Sequence, residues 1–136
     1  MLKDNLNKAI LFGQSLDNDD FKTTAGLLSS ECIYFIGATT LVGPSEITGS
    51  YEQNMIEGRA KLDELEWGKS CVEQINGTEF FVHFTDYLKH KEISHTHRCK
   101  QKLFFGENGY IIKIEHIHNE EEQKKLDDFY RKVGLK

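Results

Sequence analysis

HTHRCKQKLFFGENGYIIKIEHIH, running from His95 to His118, is the stretch whose reading decides the fold. Asn108-Gly109 is a hairpin signal, because both residues tolerate the positive φ of a tight type I′ turn. The flanking runs alternate, and an even-length loop puts Phe105 on the same face as Ile112. One face then carries Arg98, Lys100, Lys102, Phe104, Ile111, Lys113, Glu115 and Ile117. The other carries His97, Cys99, Gln101, Leu103, Phe105, Ile112, Ile114, His116 and His118, with His95 at its far end. The first face is charged and meets water. The second is apolar near the turn and rich in histidine away from it, as one wall of a small-molecule pocket would be.

Working outward, 136 residues predict a single domain over 1–136, with enough chain to bury a core. A formal net charge of -5 with no basic run argues against a nucleic-acid partner. Three cysteines, Cys32, Cys71 and Cys99, lack paired spacing, which argues against a disulfide framework or a zinc finger. No apolar stretch is long enough to span a membrane, and no basic-then-apolar leader opens the chain. The expectation is a cytoplasmic protein with no membrane partner.

Leu2, Leu6, Ile10, Gly13 and Leu16, flanked by Ala9 and Phe12, fall at helical spacing over 2–16. Asp17-Asn18-Asp19-Asp20 breaks that pattern and caps a second helix over 19–29, with Phe21, Ala25 and Leu28 as its apolar face. Cys32–Ile36 reads as a buried strand, and Gly43-Pro44-Ser45-Glu46 opens a third helix continued by Ile47, Tyr51 and Met55. From Lys61 the period becomes two. A long strand over 62–75, a turn at Asn76-Gly77, a strand over 79–90 and a turn at Lys91-Glu92 lead into the His95–His118 hairpin. Asn119 caps a last helix with Glu120-Glu121-Glu122 in its first turn and Leu126, Phe129 and Val133 as its stripe. Segregated elements of this order make an α+β fold, with N-terminal helices on the concave face of a curved antiparallel sheet and a C-terminal helix.

Several of these stretches resemble the nuclear-transport-factor-2-like superfamily, especially its SnoaL-like and ketosteroid-isomerase-like branch. They are Leu16–Phe21 between two helices, Gly43–Ile47 opening the third, and Phe104–Ile111 with Ile114–Asn119 as the last hairpin. The resemblance implies a cone-shaped α+β roll with an internal pocket, and a homodimer formed through the outer sheet face. It also implies where isomerase residues would fall: the base near Ile36, the hydroxyl donor near Phe12 and the protonated acid near Gln101. An isoleucine cannot take a proton and a phenylalanine cannot polarise a carbonyl, so steroid isomerisation is not expected.

Parity supplies a replacement. An even loop at Lys91-Glu92 sets His90 against Ile93 and Asp86 against His97, with Phe80, Val82, Phe84, Asp86 and Leu88 facing inward. Across the last hairpin His118 or His116 lies opposite His97, and through Asn76-Gly77 Trp67 comes to Asp86. A single β-bulge would reverse the assignments beyond it. Asp86, His97 and His116 are therefore the expected catalytic residues, the aspartate bonded to a histidine as a base near neutral pH. Phe12, Ile36, Trp67, Phe84, Cys99, Gln101, Ile114 and His118 are the expected substrate-binding residues. Cys32 and Cys71 read as core, and Phe81, His83 and Tyr87 as an outward aromatic stripe suited to a dimer interface.

The function expected is a small-molecule pocket protein of SnoaL-like type: an isomerase, cyclase, dehydratase or hydrolase of an apolar carbonyl compound, with no cofactor. The first alternative is a dimer that binds a ligand or partner without chemistry. The second is a metal-dependent enzyme, since His95-x-His97 and His116-x-His118 each place two imidazoles on one strand face.

Overall fold

The computed structural model describes residues 2–136. In chain order come α1 (Leu2–Asp17), α2 (Phe21–Leu27), β1 (Leu28–Ile36), β2 (Thr39–Val42), α3 (Pro44–Lys61), β3 (Glu64–Trp67) and β4 (Cys71–Gln74). They are followed by β5 (Glu79–His90), β6 (Ile93–Phe105), β7 (Ile111–Ile117) and α4 (Glu120–Lys132). The strands make one curved sheet in the order β2-β1-β7-β6-β5-β3, with β4 also paired to β5. The expected α+β architecture is present. The sheet is mixed, however, because β1 runs parallel to β7.

Two hairpins set the inner wall. Lys91 and Glu92 both adopt positive φ, 50° and 67°, and hold Asp86 opposite His97 through an unbroken β5–β6 ladder. The last hairpin departs from the expected two-residue turn. Gly106 N–H reaches Tyr110 O and Gly109 N–H reaches Gly106 O, so the turn centres on Glu107-Asn108 with Gly109 beyond it at φ 81°. The register then shifts, Phe105 pairing with Ile111 but Phe104 with Lys113. Ile112 is the extra residue and is 45% exposed, whereas Ile111 is fully buried; the two exchange their expected faces. Past the bulge the parity is restored, with Leu103 opposite Ile114 and Gln101 opposite His116.

The helices lie over the inner face. Ala9 and Phe12 of α1 and Ile47 of α3 are fully buried against Phe80, Val82, Leu103, Ile111 and Ile114. Ile10 turns outward instead of joining that stripe, and the side chain of Leu2 lies outside the described residues. α2 ends at Leu27, shorter than expected, and Leu28 belongs to β1. α2 is capped by Asp20, and its buried Thr24 hydroxyl meets that of Ser15 in α1 at 2.6 Å. α4, capped by Asn119, packs Phe129 and Val133 with Leu62 and Leu88 in a second cluster beyond the main core.

The expected strand over 62–75 breaks at residues 68–70. β3 keeps Trp67 opposite Asp86, whereas β4 sets Cys71 opposite His83, one residue out of step. His83 is an outward position, so Cys71 is exposed and not core, while Cys32 is fully buried. The break brings Ser70 against α1 at Gly13, where an added Cβ would meet the Ser70 hydroxyl and come within 3.2 Å of Val82. Gly13→Val is expected to lose about 1–3 kcal/mol of stability by forcing α1 off the sheet, read from the midpoint of urea unfolding.

Candidate functional site

Between the helices and the sheet lies a cavity of about 500 Å³, a size that suits a small organic molecule. Its apolar wall comes from Leu16, Phe21, Ile36, Met55, Phe84 and Leu126, each from a different element or turn. Its polar groups fall into three sets.

The first is Asp86 with His97 and His116. Asp86 sits mid-strand on β5 among apolar neighbours, and burial, with the charge of Asp17 second, pushes its carboxyl up to about 7. Burial lowers both imidazoles, reinforced at His97 by His95 and His116 against the opposing pull of Glu122, and at His116 by His118. At neutral pH both rings are therefore uncharged. Asp86 and His97 are cross-strand partners, but no hydrogen bond joins them; the buried Nδ1 of His97 has no partner among the described residues. The expected Asp–His bond is thus not made. Nor is His116 opposite His97, since it faces Gln101; it reaches the same cavity from one strand over.

The second set lies at the cavity's inner end. Tyr51 Oη donates to Oε1 of buried Gln101 at 2.6 Å, and Nε2 of Gln101 donates to Tyr34 Oη at 2.9 Å. The two tyrosine rings stack at 5.4 Å. Burial raises both phenols, so they stay protonated. Tyr51 follows from the helical spacing of α3, but its partner could not be read from sequence, because β1 and β6 meet there only through β7.

The third set joins the α1–α2 turn to the β3–β4 break. Asp17 Oδ2 accepts from the Ser70 amide and hydroxyl, each at 2.8 Å. Asp19, at φ 56°, accepts from Trp67 Nε1 and from Arg59, each at 2.7 Å. Sequence alone offered these aspartates only as caps.

Other expected site residues are placed as follows. Ile36, Trp67, Phe84, Cys99 and Gln101 line the cavity. Phe12 and Ile114 are wholly buried in the core beneath it, and His118 is exposed past the end of β7. His95 stacks on Phe129 of α4 at 5.3 Å, outside the cavity wall. Burial, with the charges of Asp86 and Glu122 behind it, pushes the Cys99 thiol up to about 12, which leaves it inert as a nucleophile. Among the described residues no three His, Cys, Asp or Glu side chains converge to hold a metal ion. In the first His-x-His pair the His95 ring stacks on Phe129 of α4, and in the second His118 lies past the end of β7.

No family model matches the chain, and no curated protein does. Solved structures do. A SnoaL-like polyketide cyclase candidate from Shewanella denitrificans aligns with TM-score 0.65 and 11% identity, over 91% of this chain and 97% of that one. The fold is nuclear-transport-factor-2-like. An LEH-like epoxide hydrolase of M. tuberculosis is similar over 98% of both chains, at 14% identity and TM-score 0.64. A protein of ketosteroid-isomerase-like fold from Catenulispora acidiphila, solved with trimethylamine, aligns over 93% of this chain and 91% of that one, at 12% identity and TM-score 0.64. These similarities establish the SnoaL-like and ketosteroid-isomerase-like fold, and such a fold carries many chemistries.

Proposed function

We propose that the chain is a small-molecule enzyme of SnoaL-like type that works without a cofactor, with Asp86 as the general base. The substrate is an apolar carbonyl compound held in the cavity. Asp86 takes a proton from the carbon beside the carbonyl, and an N–H of neutral His97 or His116 donates to the oxygen as it gains negative charge. Isomerisation, cyclisation and dehydration all begin with this step, and attack by water on an electrophilic carbon would use the same base.

One observation carries the reading: a carboxyl pushed by burial to about 7, with no hydrogen-bond partner among the described residues, lines a cavity that two uncharged imidazoles also line. Its environment matches what a base needs, being ionised only when the pH passes its own raised value. Incubating the protein with a panel of apolar ketones in D2O tests it. Loss of the α-proton signals by NMR, faster above pH 7 than below and absent in Asp86→Asn, is the expected result. Exchange undiminished in that variant would remove Asp86 from the role.

A second reading, capture without chemistry, is favoured by the second polar set. Tyr51 gives its proton to Gln101 and Gln101 gives one N–H to Tyr34, so this end offers a ligand the Tyr34 O–H and the second Gln101 N–H as donors, and no base. Under either reading the domain pairs with a second copy through the outer sheet face, where Phe35 and Tyr87 are exposed. No described helix is long and apolar enough to cross a membrane, and the proposed setting is the cytoplasm.

A further inference from the structure

The proton-transfer reading leaves the charge of the cavity unused. Among the described residues three carboxylates, Asp17, Asp19 and Asp86, line it, and no lysine or arginine does. Arg59 neutralises Asp19. Among the described residues Asp17 is held only by the neutral donors of Ser70, and Asp86 has no hydrogen-bond or ion-pair partner. The imidazoles of His97 and His116 are uncharged and compensate neither acid. Asp17 is also the last residue of α1, where the negative end of the helix dipole adds to its charge.

The rest of the wall suits the same sign. Aromatic faces attract cations when water is excluded, by about 1–2 kcal/mol each. Phe21, Trp67, Tyr34 and Tyr51 all line the cavity, and Arg59 already sits over the Trp67 ring, 5.6 Å from its centroid. An anionic ligand would meet Asp17 with no cation to receive it. A bare metal ion would lack a third ligand among the described residues.

We propose that the cavity takes an organic cation: an ammonium compound with an apolar body, its charge set between Asp17 and the rings of Phe21 and Trp67, and its body against Ile36 and Phe84. The inference rests on the reading of the cavity as a substrate site and adds the substrate's charge. Asp17 anchors the cation and Asp86 remains free to act on the body of the molecule.

Trp67 is the only tryptophan, so its fluorescence reports directly on the cavity. The protein is titrated at pH 8 with benzyltrimethylammonium, with its neutral isostere neopentylbenzene, and with phenylacetate. The ammonium is expected to bind at least about tenfold tighter than the isostere, and phenylacetate weakest of the three. Asp17→Asn, which keeps the shape and an acceptor for Ser70, should lose roughly that tenfold for the ammonium and nothing for the isostere. Phe21→Leu, a second variant, should weaken the ammonium selectively as well. Equal or tighter binding of the isostere or of phenylacetate overturns the inference, as does failure of the ammonium to bind. Ketone exchange in D2O that persists beside such a result leaves the proton-transfer reading standing; its loss as well would remove both.

Discussion

Asp86→Asn is expected to make the protein more stable above pH 7 while removing its capacity to abstract protons. The sign follows from the raised carboxyl. Below pH 4 Asp86 is protonated in both folded and unfolded chains and costs nothing. Between about 4 and 7 the unfolded chain releases the proton first, so stability falls by about 1.4 kcal/mol per pH unit. Above about 7 both states are ionised and the loss levels off at about 4 kcal/mol, the distance from the ordinary 3.8 to about 7. Asparagine carries no such penalty. Its melting temperature at pH 8 should exceed that of the wild type by roughly 10 °C, and the two should converge near pH 4. Turnover should fall by about 10²–10⁴, the usual contribution of a positioned base. A variant that is less stable at pH 8 would show that Asp86 contributes to the fold instead of straining it.

Gln101→Leu is the second large effect, in the opposite direction. The amide is 5% exposed and is the hydrogen-bond partner of two buried tyrosine hydroxyls. Leucine fills much of the space and satisfies neither. Each orphaned hydroxyl costs about 1–2 kcal/mol, so a loss of about 2–4 kcal/mol is expected by urea unfolding. Adding Tyr51→Phe removes one orphan, and the double variant should recover part of the loss despite carrying one more substitution. Strict additivity of the two changes would mean that the chain of hydrogen bonds is not coupled.

The sequence conveyed the inner face of β5 and β6 well, because the Lys91-Glu92 turn is regular and parity carries through an unbroken ladder. It conveyed the partner of Trp67 for a less simple reason. The loop beyond Asn76 puts β4 out of step by one residue, and the break at 68–70 puts β3 back. Cys71, lying between the two departures, is the residue that changes face. At the last hairpin the same parity argument misplaced Ile111 and Ile112, since Asn-Gly suits both a two-residue turn and a turn followed by a bulge. β2 leaves no period in the sequence, because Thr39–Val42 is too short to show one, although Gly37-Ala38 is a two-residue loop between β-forming runs. The aspartates at 17 and 19 were legible only as helix punctuation. Their function depends on Ser70, Arg59 and Trp67, which lie 40 or more residues away.

The break between β3 and β4 also bears on how the molecule avoids its own kind. A strand of fourteen residues along that margin would offer a continuous row of unpaired amides and carbonyls on which a second chain could add. Divided in two, the margin presents only two four-residue segments, Glu64–Trp67 and Cys71–Gln74, out of phase by one residue and each carrying glutamate. An incoming strand in register with one is out of register with the other. The same irregularity that seats Ser70 against α1 thereby makes this side of the sheet a poor template for aggregation.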